Sequence, residues 1–174
     1  MAKKGLVLLN TGNGKGKSTA AFGQALRAAG SGFRVCIIQF IKGNSETGEA
    51  RAFARLADTV EFHVKGSGFT WTKEDKTEAV AMARDAFEFA RSKINSDLYD
   101  MVVLDEMTYI IRYDMVSEAE VLELISNRPE RLHLVITGRD ASKGLIGAAD
   151  LVTEMVEVKH PYQQGVKAQR GVEF

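Results

Sequence analysis

The chain has 174 residues, which is a usual size for one domain and enough to bury a full hydrophobic core. Twenty-three lysines and arginines balance 23 aspartates and glutamates, so no net positive field draws the protein to nucleic acid or to an anionic membrane. No apolar run approaches the length of a membrane-spanning helix, and the first residues lack the apolar core of a signal peptide. We therefore expect a single cytoplasmic domain over residues 1–174, with neither nucleic-acid nor membrane partners.

Short apolar runs alternate along the chain with amphipathic stretches, a pattern typical of a parallel sheet flanked by helices. The six predicted strands lie near residues 5–10, 34–40, 59–64, 100–105, 132–137 and 151–157. Predicted helices cover about residues 17–29, about 49–57, a long stretch that Thr72 is expected to cap, and a stretch after the capping-box spacing of Ser117 and Glu120. The sequence thus predicts an α/β fold with a mostly parallel central sheet.

The single cysteine and the three histidines give no sign of a metal centre. Cys36 lies within a predicted buried strand, so we expect a core residue rather than a nucleophile. His63, His133 and His160 show neither zinc-ligand spacing nor a cysteine partner, and the first two are expected to be strand residues. His160 precedes a glycine-rich tail, residues 165–171, which either folds over a bound nucleotide or finishes the edge of the sheet.

A phosphate-binding loop is predicted directly after the first strand. Residues 12–19 read Gly-Asn-Gly-Lys-Gly-Lys-Ser-Thr between an apolar strand and an alanine-rich helix, a context that disfavours a merely solvated turn. In such a loop backbone N–H groups converge on phosphate oxygens, Lys17 adds positive charge and the Ser18 hydroxyl can hold Mg²⁺. The usual glycine six residues before the lysine is replaced by Thr11, so ordinary ATP hydrolysis is not assumed. The candidate nucleotide-binding residues of the loop are Gly12, Asn13, Gly14, Lys15, Gly16, Lys17, Ser18 and Thr19.

Two carboxylates, Asp105 and Glu106, end another apolar strand. Near a phosphate-binding loop such a carboxylate holds Mg²⁺ directly or through water, opposite the hydroxyl that is here Ser18. The alternative is that the acidic pair only caps the next helix, but its pairing with the loop favours a metal site formed by Ser18, Asp105 and Glu106. The role of Glu106 is open between orienting an attacking water and making a second metal contact.

Four further residues are weaker candidates when they are judged by residue type and position alone. Phe69 and Trp71 follow glycines and precede a helix, and such a pair more often anchors a loop on the core than binds a ligand. Arg139 follows a strand end, where open α/β sheets bind ligands, so either a phosphate contact or an ion pair with a neighbouring acid is open to it. Arg27 lies in the first predicted helix, where an arginine is usually exposed to solvent rather than bound to a ligand.

Taken together, six segments in order resemble the corrinoid adenosyltransferases of the ATP:cob(I)alamin type that carry a P-loop. These segments are residues 12–23, 39–43, 68–71, 104–109, 137–139 and 160–174. The resemblance implies a RecA-like P-loop fold that moves the 5′-deoxyadenosyl group of ATP to reduced cobalt and releases tripolyphosphate. It also implies ATP and a reduced corrinoid as substrates, Mg²⁺ or Mn²⁺ as cofactor, a flavoprotein reductant and a homodimer.

The resemblance further implies roles for individual residues. Lys17, Ser18 and Glu106 become the catalytic residues, and Arg27 and Arg139 become nucleotide contacts. Phe69 and Trp71 are implied to pack against the lower face of the corrin, where they displace the axial base and make Co(II) easier to reduce. Two alternatives stay open, a P-loop ATPase or phosphotransferase and a nucleotide-switched binding protein without turnover.

Overall fold

A computed structural model describes residues 4–41, 43, 47–66, 68 and 77–173. Six parallel strands form one sheet in the order β3-β2-β4-β5-β1-β6. Their bounds are β1 (Val7–Thr11), β2 (Val35–Gln39), β3 (Val60–Val64), β4 (Met101–Asp105), β5 (His133–Thr137) and β6 (Leu151–Glu154). All six predicted strands are confirmed, although β6 ends three residues earlier than expected.

Helices connect the strands and cover both faces of the sheet. They are α1 (Lys17–Gly30), α2 (Gly48–Phe53), α3 (Thr77–Asn95), α4 (Met107–Arg112), α5 (Glu118–Ser126) and α6 (Lys143–Ala148), with 3₁₀ turns at Ala54–Leu56 and Pro161–Gln164. The predicted capping box is confirmed, since the Ser117 hydroxyl accepts from the Glu120 N–H and the Glu120 carboxylate accepts from the Ser117 N–H. The predicted cap Thr72 lies outside the described residues. None of the described helices is long and apolar enough to span a membrane.

The core consists of two apolar layers, one on each side of the sheet. On one side, α1 packs its small residues and Phe22 against β2, β4 and β5, together with Phe53 of α2. On the other side, α3, α4 and α5 cover the same strands. Strands β2 and β4 are buried along their whole length, which explains why they read as continuous apolar runs. Because every strand is parallel, the loops after β1, β4 and β5 open at one common edge of the sheet.

One sequence-based expectation is wrong on the side of the sheet that α3 covers. Cys36 is buried in β2 as predicted, but the β2–β3 register brings its thiol, the Glu61 carboxylate and the His63 ring within 4.8 Å of one another. His63 therefore has a cysteine neighbour, which spacing along the chain does not reveal. Burial raises the pKa of the Cys36 thiol to about 12. The hydrogen bond from Lys93, 2.7 Å from Glu61, lowers the pKa of that carboxyl to about 2, so the Lys93 ammonium already supplies the cation at this cluster.

Candidate active site

The phosphate-binding loop is held against the segment that follows β6. Gly12 has a φ of +93°, which favours glycine, and a Cβ there would lie 2.4 Å from the carbonyl oxygen of Met155. The Gly14 N–H donates to the same oxygen at 2.6 Å, and a Cβ on Gly14 would lie 2.8 Å from the Met155 backbone. The two glycines thus allow the backbone of the loop to lie close to the backbone of Met155. The Gly14 N–H in particular is directed at Met155.

Thr11, which replaces the usual first glycine of such loops, is the last residue of β1. Its carbonyl accepts from the Met155 N–H at 2.8 Å, and its buried hydroxyl accepts from the Ala141 N–H at 3.2 Å. The residue therefore extends the sheet and fastens the loop after β5. Thr11 is thus the last residue of a strand, at the position where the usual motif has its first glycine.

Lys17 begins α1 and bends back over the loop. Its ammonium donates to the Gly14 carbonyl at 2.7 Å. Burial and the charge of Arg139 lower the pKa of Lys17, whereas the nearby carboxylates of Glu106 and Asp105 act in the opposite direction. A lysine, an arginine and two carboxylates are therefore close enough to influence one another at this edge of the sheet.

A cavity of about 250 Å³ lies above the loop and brings most of the predicted site residues together. Ser18, Glu106 and Arg139 line it beside the loop. Its complete lining is residues 13–19 with Glu49, Glu106, Tyr109, Thr137, Gly138, Arg139, Glu157, His160, Val172 and Glu173. Among the predicted site residues that the structure describes, Gly12, Arg27 and Asp105 do not line it. The arrangement offers positive charge and loop amides to a polyanionic group, and oxygen ligands to a cation bound with it.

Asp105 lies directly behind the cavity and is completely buried. Its Oδ2 accepts from the Gln39 side-chain amide at 2.8 Å, and its Oδ1 accepts from the Thr137 hydroxyl at 2.7 Å. Glu106 follows in a left-handed backbone conformation with a φ of +64°, and its N–H donates to the Thr137 hydroxyl oxygen at 2.9 Å. Glu106 also occupies the N-cap position of α4 but makes no side-chain cap. The carboxylate of Glu106 therefore does not serve the capping role that was the alternative to metal binding.

A family model described as ATP:corrinoid adenosyltransferase BtuR/CobO/CobP matches residues 3–174. The chain belongs to this family. A corrinoid adenosyltransferase of Sinorhizobium sp. is 45% identical over 174 residues, which are 99% of this chain and 81% of that protein. One of Pseudomonas aeruginosa is 44% identical over 99% of this chain and 85% of its own length. One of Escherichia coli K12 is 40% identical over 99% and 87%. The expectation of a transferase is thereby confirmed.

The fold is also similar to that of a solved structure, the flagellar accessory protein FlaH from Methanocaldococcus jannaschii. The TM-score is 0.56, and the match covers 87% of this chain and 71% of that one. With 10% sequence identity this likeness concerns the fold alone. It agrees with the predicted α/β P-loop fold of the RecA-like type, which the strand order bears out.

One site residue expected from the corrinoid adenosyltransferase resemblance, Arg27, is described by the structure and does not line the cavity. Arg27 lies in the last turn of α1, about 15 Å along the helix from Lys17, and its guanidinium donates to Gln24 at 3.3 Å. Phe69 and Trp71 lie outside the described residues. The chain just before them is fixed to the end of β2, since the Gly68 N–H donates to the Ile41 carbonyl at 2.7 Å.

The tail of this family member lies over the phosphate-binding loop. Glu157, His160, Val172 and Glu173 line the cavity, and the Glu173 carboxylate lies 2.5 Å from the Lys15 ammonium. The described part of the tail, residues 155–173, contains a 3₁₀ turn and no strand. Because residues 165–171 contain no strand, the structure disfavours the interpretation in which that tail finishes the edge of the sheet.

Some lining residues were missed by sequence reasoning. Thr137 and Tyr109 lie within segments that carried the resemblance, so their position after β5 and within α4 was a usable signal. Glu157 and Glu173 gave no such signal, because acidic residues in a polar tail are ordinarily solvated. Their location depends on how the chain returns across the loop after β6.

The oxygen ligands near the loop fit a hard divalent cation. Ser18 offers a hydroxyl and Asp105 and Glu106 offer carboxylates, which is the donor set that Mg²⁺ and Mn²⁺ prefer. Both oxygens of the buried Asp105 are held by neutral donors, Gln39 and Thr137. An ionised carboxylate can accept at about four lone-pair positions, so these two hydrogen bonds leave lone pairs of Asp105 for a cation.

Proposed function

We propose that the protein transfers the 5′-deoxyadenosyl group of ATP to the reduced cobalt of a corrinoid and releases tripolyphosphate. The observation that carries the proposal is the cavity in which Lys17, Ser18, Glu106 and Arg139 converge, in a chain that belongs to the ATP:corrinoid adenosyltransferase family. The ligand of the cavity is then the triphosphate of ATP, and the family resemblance implies that the corrinoid contacts Phe69 and Trp71.

The chemistry requires little of the protein beyond position and charge. The electron pair of Co(I) forms the Co–C bond with C5′, the C5′–O bond breaks, and its electron pair leaves on the triphosphate. Because Co(I) is already a strong nucleophile, no general base is needed. The protein contributes alignment of cobalt with C5′ and stabilisation of the negative charge on the leaving group.

Different residues near the loop stabilise the triphosphate and bind the metal ion. The Lys17 ammonium and the Arg139 guanidinium stabilise the triphosphate, while the loop N–H groups that are not bonded to Met155 donate to its oxygens. Ser18, Asp105 and Glu106 hold Mg²⁺ or Mn²⁺, which when bound neutralises charge on the triphosphate. The remaining assignments, Arg27 as a nucleotide contact, Phe69 and Trp71 at the corrin, a flavoprotein reductant, a homodimer and a cytoplasmic location, rest on the family resemblance.

Product analysis tests the reaction directly. The protein is incubated with ATP, Mg²⁺ and a chemically reduced corrinoid, and we expect tripolyphosphate and a light-sensitive Co–C product in equal amounts. Omitting the corrinoid is the matched control and should abolish both products. Release of phosphate and ADP would indicate a P-loop ATPase or phosphotransferase instead, and binding of ATP without any product would indicate a nucleotide-switched binding protein.

The metal assignment is tested by removing the two carboxylates one at a time. We expect Asp105→Asn and Glu106→Gln to raise the Mg²⁺ concentration needed for half-maximal transfer by about tenfold or more, because even indirect partners of a bound metal affect its affinity by about 10- to 100-fold. Glu123→Gln, an exposed carboxylate on α5, is the control and should not change it. An unaltered Mg²⁺ requirement with a changed pH profile in Glu106→Gln would instead identify Glu106 as a general base.

A further inference from the structure

The hydroxyl of Thr137 joins the two acidic residues of the proposed metal site. It donates to Asp105 at 2.7 Å and accepts from the backbone N–H of Glu106 at 2.9 Å. The two contacts connect the end of β5 to the residues on either side of the β4–α4 junction. One side chain thus touches both the carboxylate of Asp105 and the backbone that carries the carboxylate of Glu106.

The hydrogen-bonding capacity of a hydroxyl limits what else Thr137 can do. A threonine hydroxyl has one proton and two acceptor lone pairs, and here the proton is given to Asp105 and one lone pair to Glu106. Thr137 lines the cavity, yet it has no proton left for a phosphate oxygen unless it gives up Asp105. Its contacts therefore indicate a role in orienting the acidic residues rather than in binding phosphate.

Gln39 holds Asp105 from the opposite side. It ends β2, is completely buried, and donates its amide to Asp105 Oδ2 at 2.8 Å. The carboxylate plane of Asp105 is thus fixed through both oxygens by residues on the two neighbouring strands, β2 and β5. Gln39 does not contact Glu106 in any hydrogen bond found among the described residues.

Glu106 needs such support because of its backbone. A φ of +64° is uncommon for a residue with a side chain and is maintained when surrounding contacts fix it. The hydrogen bond from its N–H to Thr137 is one of these contacts. Loss of the hydroxyl would leave that N–H without this acceptor. The direction in which α4 begins would then no longer be fixed by this hydrogen bond.

We propose that Thr137 is a positioning residue that orients both Asp105 and Glu106 toward the metal of the bound nucleotide, and that Gln39 is a second positioning residue that orients Asp105 alone. This inference rests on the proposed function, in which these carboxylates hold Mg²⁺ or Mn²⁺. According to this inference, residues at the ends of β2 and β5 control metal affinity, whereas the loop after β1 binds phosphate.

The test measures binding without turnover. Free Mn²⁺ is followed by its electron paramagnetic resonance signal in the presence of protein and ATP without corrinoid, and ATP affinity is measured separately in EDTA. We expect Thr137→Val to weaken Mn²⁺ binding by roughly 10- to 100-fold and to leave metal-free ATP binding within about threefold of wild type. Gln39→Met should weaken Mn²⁺ binding less than Thr137→Val does, because it removes one contact instead of two.

The matched control is Thr137→Ser, which keeps the hydroxyl and should restore Mn²⁺ binding close to that of wild type. The proposal is overturned if Thr137→Val binds Mn²⁺ normally, if it loses metal-free ATP binding to the same extent, or if Thr137→Ser is no better than Thr137→Val. Should Thr137→Val not fold, Mn²⁺ binding and metal-free ATP binding are compared in Gln39→Met and Thr137→Ser instead. Normal Mn²⁺ binding by Gln39→Met, or impaired Mn²⁺ binding by Thr137→Ser, would then overturn the proposal. Failure of the wild type to bind Mn²⁺ would overturn the metal assignment itself, a result distinct from all of these.

Discussion

Replacement of Lys17 by alanine should lower the rate of adenosyl transfer by roughly thirty- to a thousandfold. The lysine ammonium lies over the loop, 2.7 Å from the Gly14 carbonyl, where it can follow charge as it develops on the leaving triphosphate. Loss of such a contact costs on the order of 2 to 4 kcal/mol in the transition state. The measurement is kcat/KM for formation of the Co–C product, with Co(I) supplied chemically.

The Lys17 side chain is not part of either apolar layer, so the variant should remain folded and its melting temperature should stay close to that of wild type. Lys143→Ala removes an exposed lysine from α6, away from the cavity, and is the matched control. We expect it to transfer at the normal rate. Near-normal transfer by Lys17→Ala would contradict the role given to the phosphate-binding loop.

Replacement of Phe69 or Trp71 by alanine should have an effect that depends on how the cobalt is reduced. If the pair displaces the lower axial ligand of the corrin, its function is to make Co(II) reducible, and this function ends once Co(I) has formed. We therefore expect turnover from cob(II)alamin with a flavin reductant to be severely reduced. Transfer with Co(I) from a strong chemical reductant should be largely preserved.

A buried aromatic residue elsewhere gives the contrasting result. Phe53 packs against Phe22 and Phe62 with ring centroids 6.0 and 5.7 Å away. Phe53→Ala should cost about 3 to 5 kcal/mol of stability and should lower both assays together with the melting temperature. Equal loss in both assays by a destabilised Phe69 or Trp71 variant would show that these residues only anchor their loop.

The parts of the fold that follow from the sequence are those with a strong local signal. Strands β2 and β4 are buried on both faces and therefore appear as unbroken apolar runs, and α5 begins at a capping box that can be read from two residues. Helices α4 and α6 were not predicted, because six residues show a helical period poorly. Helix α2 is equally short but continues directly into the 3₁₀ turn at Ala54–Leu56, which lengthens its pattern.

The parts of the site that the sequence did not predict depend on strand order and register. Asp105 and Thr137 form a hydrogen bond because β4 and β5 are neighbours in the sheet. The residue pattern within either strand does not indicate which strand is its neighbour. The contact between Lys15 and Glu173 joins residues 158 positions apart. Cys36 and His63 come together through the β2–β3 register in the same way. Motifs predict which residues are candidates, whereas tertiary pairing decides which of them meet.

In the sheet, β1 lies between β5 and β6, the last two strands of the chain. The strand that carries the phosphate-binding loop is thus made before the other five described strands, but both of its partners are made only after residue 132. Long-range parallel pairing of this kind closes large loops and slows folding. The nascent chain must therefore carry an apolar strand without its neighbours through most of synthesis. The nucleotide site is expected to form among the last events of folding.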